Sequence, residues 1–179
     1  MTLVTPSVVE PVPAPAPDLR AETSGDSAPI EALLDQAFGP GRFAKASERV
    51  REIAPLRRDL SFCAFEAGRL VGVVRQSEIA VGGRRMIFLG PLAVDTQARR
   101  LGTGAALVQA ACAAAAQAGF GEVLLVGDPP YFERLGFSAQ ATGQIIMPGP
   151  VDPRRLLLRR LDGAAPEDAV VFQGAVTAP

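Results

Sequence analysis

The residues with the most chemical content are Arg99-Arg100-Leu101-Gly102-Thr103-Gly104-Ala105, a short way past an apolar run that ends at Val94. A strand that ends, a polar loop and a helix that opens at Arg-x-x-Gly-x-Gly together make a cradle for an anion. Gly102 and Gly104 have no side chain, so a ligand can come close to the main chain. The first N–H groups of a helix lack intrahelical partners and point outward at the positive end of its dipole. Arg99 and Arg100 add two positive charges, and a pyrophosphate suits such a site. Two plainer readings stand beside this one. The glycines also permit tight helix–sheet packing, and the arginines, Arg100 above all, also read as solvated surface charges.

Other phosphate motifs fail on named residues. A Walker A loop needs a Gly-Lys-Ser/Thr step, and this stretch has no lysine. A dinucleotide fingerprint needs a third glycine where Leu107 stands, and Glu122 opens a strand instead of ending one.

Composition narrows the chemistry further. The chain has 179 residues, 18 Lys+Arg against 19 Asp+Glu and a net charge of −1, enough for one core and short of the basic excess of a nucleic-acid domain. It contains no histidine, which excludes Ser-His-Asp and Cys-His catalysis and any His-containing metal site. No metal is expected. Cys63 and Cys112 read as small buried hydrophobes, too few for a zinc site. Gly104 to Phe120 is too short and alanine-rich to span a membrane, and the N-terminus does not resemble a signal peptide, so a cytoplasmic protein is expected.

The elements that must position the cradle follow from pattern. Residues 1–17 hold five of the 16 prolines and read as a disordered tail, with one folded domain over 18–175. A strand at Leu19–Glu22 precedes a helix whose Ile30, Leu33, Leu34 and Phe38 repeat at three and four, ended by Gly39-Pro40-Gly41. A polar second helix covers Lys45–Ile53. Strands are expected at Leu60–Glu66, Leu70–Val81 and Met86–Val94, joined by turns at Ala67-Gly68 and Gly82-Gly83. A long helix spans Arg99–Ala118, a buried strand Glu122–Val126 and a helical turn Pro130–Arg134. Further strands are expected to open at Gly136-Phe137 and to cover Leu156–Leu161 and Ala169–Phe172. The class is α/β, with a mixed sheet in a single domain.

Arg99-x-x-Gly102-x-Gly104 resembles the Gln/Arg-x-x-Gly-x-Gly/Ala signature of the GNAT superfamily of N-acetyltransferases. Leu89-Gly90-Pro91-Leu92-Ala93-Val94 looks like that family's fourth strand, and Gly127-Asp128-Pro129-Pro130-Tyr131-Phe132-Glu133-Arg134-Leu135-Gly136-Phe137 is similar to the Gly-Asp-Pro-x-Tyr-Tyr-x-Arg-Phe-Gly-Phe segment of one bacterial branch. The resemblance implies a GNAT fold: a mixed, mostly antiparallel sheet with a splayed fourth and fifth strand and flanking helices. It implies acetyl-CoA or another acyl-CoA as cosubstrate, with the acyl-pantetheine arm entering the splay. A bulge at Gly90-Pro91 fits that role. Main-chain groups of Leu92, Ala93 and Val94 would hold the thioester and pantetheine, and Arg99, Arg100, Leu101, Gly102, Thr103, Gly104 and Ala105 the pyrophosphate.

The acid–base groups depart from the family pattern. The usual tyrosine, four residues before the Gly of Gly-Phe, is Phe132 here. Tyr131, the only tyrosine, lies one residue earlier and about 100° round a helical turn, where it either substitutes as general acid or lines the substrate site. Met86–Val94 holds no carboxylate to serve as base; Glu78, Asp95 and Asp128 are the remaining candidates, and Asp128 also reads as a turn former. The implied acceptor site lies between the Phe38–Phe43 loop and the C-terminal strands, with Arg42 and Arg75 either meeting an acidic acceptor or simply facing solvent. The expected function is acyl-CoA-dependent transfer, chiefly of acetyl, to an amine of a small molecule or protein, with no nucleic-acid partner and a homodimer allowed. Its rival is a weakly active or inactive GNAT-fold module that binds acyl-CoA as a sensor. Covalent transfer through Cys63 is a third option.

Overall fold

A computed structural model describes residues 17–44, 46–96, 98, 102–163 and 171–179. Tight turns at Ala67-Gly68 and Gly82-Gly83 fold three strands into a meander: β2 (Phe62–Glu66), β3 (Arg69–Val81) and β4 (Arg84–Val94). β1 (Asp18–Ala21) pairs antiparallel with β2 on its outer edge. Beyond β4 lie β5 (Glu122–Val126), parallel to it, and then β7 (Leu156–Arg160), antiparallel to β5. The sheet order is therefore β1-β2-β3-β4-β5-β7, mixed and mostly antiparallel as expected.

Helices cover both faces of the sheet. α3 (Thr103–Gln117) buries Leu107, Val108, Ala111, Cys112 and Ala115 against Ala64, Val71, Val74 and Leu125. Each buried leucine or valine there contributes about 1.5–3 kcal/mol. α1 (Ser27–Phe38) covers the opposite face through Ile30, Leu33 and Leu34, which meet Cys63, Val73 and Ala93. α2 (Ala46–Ile53) extends that layer, with Val50 packed near Met86, Phe88 and Leu124.

One irregularity in β4 shapes the middle of the sheet. The β3–β4 register runs Val74↔Leu92 and then Gln76↔Leu89, so the single residue Arg75 faces both Gly90 and Pro91. This is the expected bulge, and the Gly90–Pro91 peptide is cis. An extra residue inverts the inside–outside alternation of a strand. Ile87 and Leu89 face α3 before the bulge, Leu92 and Val94 face it afterwards, and Ala93 turns toward α1.

The C-terminal part departs from expectation in three places. No strand opens at Gly136-Phe137. Gly136 closes a 3-10 turn in the left-handed region, Phe137 N–H bonds Phe132 O, and only Ser138 bridges to Leu158. The helical turn before it is α4 (Pro129–Phe132). A short β6 (Gln144–Ile146) pairs parallel with β8 (Gln173–Thr177), and β8 reaches back to β3 at Ala80 and Val81. Of the strand expected over 169–172, Ala169 and Val170 lie outside the described residues, and Val171 and Phe172 precede β8. The long helix expected from Arg99 begins instead at Thr103, because Gly102 caps it in the left-handed region; residues 1–16 of the expected tail and Arg99 to Leu101 lie outside the described residues.

Candidate active site

Where β4 and β5 part, the sheet opens. Their ladder consists of Ile87↔Val123 and Phe88↔Leu124 and does not continue, while β5 stays paired with β7 as far as Val126↔Leu156. The bulge lies immediately past this last pair and turns β4 away from β5. A cleft forms in the gap. Its inner part, about 320 Å³, is lined by Leu92, Ala93, Val94, Gly102, Gly104, Ala105 and Tyr131, with Phe38 of α1 as a wall. Its outer part, about 470 Å³, runs from Leu92 and Tyr131 past Gly90 and Gly127 to Arg42, Ser47, Arg51, Asp152 and Arg155. Phe38, Leu92 and Tyr131 belong to both parts and mark the point where they meet.

The start of α3 faces the inner part. Gly102 caps the helix with φ 72°, a left-handed conformation that suits glycine, and the first i→i−4 bond is Ala106 N–H to Gly102 O at 3.1 Å. The N–H groups of Thr103, Gly104 and Ala105 precede that bond and, among the described residues, are left for a ligand or solvent. Thr103 itself is buried, its hydroxyl donating to Ala98 O at 3.1 Å, so its side chain pins the loop and only its main chain is offered. Gly72 on β3 lets this turn sit close: a Cβ there would fall 2.9 Å from Leu107 Cδ1 and 3.3 Å from Thr103 Cγ2. Its signal in the sequence is an isolated glycine within a strand, a mark of close approach. Arg99, Arg100 and Leu101 lie outside the described residues.

Tyr131 and Phe132 have divided their roles. Phe132, 9% exposed, borders only the outer part and makes an edge contact with Phe137 at 5.8 Å between ring centroids. Tyr131, one residue earlier on the same turn, lines the cleft, and a Cβ built on Gly104 would fall 2.6 Å from its hydroxyl. Burial pushes the Tyr131 phenol above its usual value, so the group stays protonated.

The carboxylates sort as clearly. Glu78 is held by Arg57 and Arg85, and Asp95 by Arg69 at 2.6 Å, both outside the cleft lining. Asp128 lines the outer part at the N-cap of α4. Its main-chain oxygen accepts from Tyr131 and Phe132 N–H, but its side chain makes no capping bond, so the turn is formed by the backbone. Arg75 is consumed by Glu22 and Glu31, and is absent from the cleft wall. Arg42 does line the cleft, neutralised by Glu31 at 2.7 Å and Asp35 at 3.0 Å. Arg155 had no sequence signal: it reaches the cleft because Leu156 pairs with Val126 across more than one intervening element. Both thiols are buried and free, pushed up to about 12 at Cys63 and about 11 at Cys112, which leaves no thiolate for covalent transfer near neutral pH. Among the described residues no group of three or more His, Cys, Asp or Glu is placed to hold a metal ion, and no helix is long and apolar enough to cross a membrane.

The chain is similar to known proteins in sequence and in fold. A profile of the Acetyltransferase (GNAT) family matches residues 28–137. The uncharacterized N-acetyltransferase YhbS of Escherichia coli K12 is 31% identical over 125 residues, which is 69% of this chain and 74% of that protein. The crystal structure of YhbS from Escherichia coli in complex with CoA superposes with a TM-score of 0.72 at 26% identity, over 94% of this chain and 92% of that one. A GNAT family acetyltransferase from Brucella melitensis, in complex with acetyl-CoA, has a TM-score of 0.58 at 25% identity over 79% of this chain and 94% of its own. With its splayed β4–β5 pair, its glycine-opened α3 and these relatives, the chain belongs to the GNAT acetyltransferase family.

Proposed function

We propose that the protein is an acyl-CoA-dependent N-acyltransferase that moves an acetyl group directly from acetyl-CoA to an amine bound in the outer cleft. The observation that carries this reading is the continuity of the splay with the start of α3: the open edge of β4 leads straight to the N–H groups of Thr103, Gly104 and Ala105. A narrow groove with strand-like polar groups along one wall and a helix N-terminus at its end fits an extended pantetheine arm followed by a pyrophosphate. That YhbS and the Brucella melitensis protein bind CoA and acetyl-CoA supports the same assignment.

In this mechanism the main chain of Leu92, Ala93 and Val94 aligns the thioester and polarises its carbonyl. Gly102 to Ala105 hold the phosphates, joined by Arg99 and Arg100. The amine lone pair attacks the thioester carbon, a C–N bond forms and the C–S bond breaks. Tyr131 gives its phenolic proton to the departing thiolate, and the nitrogen gives up one of its own to water. Partial desolvation in the cleft suits Tyr131 to the role of acid, even at 37% exposure, since a phenol that resists ionisation keeps the proton it must donate.

The first test is thermal unfolding of the full chain with acetyl-CoA, a longer acyl-CoA and NAD. A ligand at 100 times its Kd adds about 2.7 kcal/mol, a shift of several degrees. Stabilisation by acyl-CoA alone supports the reading, and CoA release that depends on added amine separates an enzyme from a sensor. No shift with any CoA ester overturns it.

A further inference from the structure

We propose that the acceptor is a small amine that also carries a carboxylate, an amino acid in the broad sense, held between Asp128 and Arg155. This rests on the acyltransferase reading and adds the substrate class. Most charges around the outer cleft are already satisfied. Arg42 is paired with Glu31 and Asp35, Arg51 with Glu48, and Asp152 with Arg154 at 2.8 Å. Two are not. Arg155 donates its Nε to Gly127 O at 3.2 Å, and its two terminal nitrogens make no hydrogen bond or ion pair among the described residues. The Asp128 carboxylate makes none either.

These two groups are anchored to one point. Gly127 N–H donates to Arg155 O at 2.9 Å, Gly127 O accepts from Arg155 Nε, and Asp128 is the next residue along. They are opposite charges at the same end of β5, yet they form no ion pair with each other among the described residues. A ligand with an ammonium at one end and a carboxylate at the other would satisfy both. The guanidinium, fixed through Nε, still presents its outer N–H groups as a fork, the geometry that suits a carboxylate. Asp128 begins the turn that carries Tyr131, so the ammonium end lies on the side of the reacting groups. The two groups left without a protein partner are opposite in sign, so a zwitterion matches them better than a polyamine or a lysine-rich peptide, which offers no anion to Arg155. A volume of about 470 Å³ lies in the range of small-molecule sites.

The test uses the full chain with saturating acetyl-CoA and pairs of acceptors that differ only by a carboxylate: L-serine and ethanolamine, L-alanine and ethylamine, 4-aminobutyrate and propylamine. The expected result is a preference of at least about tenfold in kcat/KM for the carboxylate-bearing member of one or more pairs. Arg155→Met, which keeps the stem but not the fork, should raise KM for that acceptor about tenfold or more, while the partner amine changes less than about twofold. Asp128→Asn should raise KM for both members of the pair. Equal or better turnover of the amines without a carboxylate, acetylation of peptides only, or an Arg155→Met effect that does not discriminate overturns the proposal. Calorimetric titration of L-serine, L-alanine and 4-aminobutyrate into the CoA-saturated protein keeps the two readings separable. Binding of CoA with no turnover and no binding of any of these acids overturns the acceptor class alone, whereas failure to bind CoA overturns the acyltransferase reading.

Discussion

Replacing Gly104 by glutamate sets helix stability against ligand binding. A Cβ at this position meets Tyr131 Oη at 2.6 Å and Val94 Cγ2 at 3.6 Å, and the next nearest atom is again in the tyrosine ring. No backbone obstructs it, so the tyrosine tip moves and the chain still folds. A carboxylate in the first turn of α3 even favours the helix, by about 0.3–1 kcal/mol, and replacing glycine helps further. For a bound pyrophosphate the same charge is repulsive. At a separation of about 5 Å and an effective dielectric of about 20, the cost is about 3 kcal/mol per unit charge, or about 10²-fold in affinity. Gly104→Gln has nearly the same bulk without the charge and shows what crowding and displacement of Tyr131 cost by themselves. The assay is calorimetric titration of acetyl-CoA into both variants at low and high salt, with thermal unfolding as the control for folding. The expected outcome is an unchanged or raised Tm in both, with the glutamate variant binding about 10²-fold more weakly than the glutamine variant and the gap narrowing as salt rises. Equal affinities for the two variants, or no loss in either, would refute the assignment of this turn to the phosphates.

The other expected outcomes concern Tyr131, Phe132 and the two thiols. Tyr131→Phe should lower kcat by about 10²-fold or more with little change in acetyl-CoA affinity, read by amine-dependent CoA release. In the parent protein the rate should rise with pH as the amine deprotonates, with no descending limb below about pH 10, because burial raises the phenol and its protonated form is the active one. Phe132→Tyr, which from sequence alone would restore a missing acid, should give no gain in amine-dependent CoA release: Phe132 packs on Phe137 and borders only the outer part of the cleft, while Tyr131 stands where the two parts meet. Cys63 and Cys112 should resist alkylation at pH 8 in the native state and react on unfolding. Both thiols are raised on folding, so above about pH 9 the unfolded chain loses protons first, and stability should fall by up to about 1.4 kcal/mol per pH unit for each thiol.

Much of this protein was legible in its sequence wherever one local interaction decides the outcome. The Gly82-Gly83 turn, the Glu122–Val126 strand, the Ile30/Leu33/Leu34 face of α1 and the bulge at Gly90-Pro91 each follow from a turn propensity, a hydrophobic period or a missing N–H, and all are present. So does the arrangement of Gly102 and Gly104 at the start of α3, because a glycine can adopt a left-handed cap and clear space in any context. Long-range pairing was not legible. The strand expected at Gly136-Phe137 is an apolar segment in which helix closure at Gly136 prevails over the ladder, while the weakly patterned Gln173–Thr177 becomes a strand because β6 and β3 offer it partners.

Side-chain direction was decided only by tertiary structure. Adjacent residues on a helical turn differ by about 100°, and which of Tyr131 and Phe132 reaches the inner cleft depends on where Phe137 leaves room in the core. The arginines behave in the same way. Arg75 and Arg42 looked equivalent in sequence, yet Glu22 and Glu31 hold the first away from the cleft and Arg42 stands in its wall; Arg155, which sequence could not single out, is brought there by the pairing of β7 with β5. Backbone conformation answers to neighbours along the chain, so the sequence reports it. The surroundings of a charge are set by segments far apart in sequence, and they exist only once the sheet has formed.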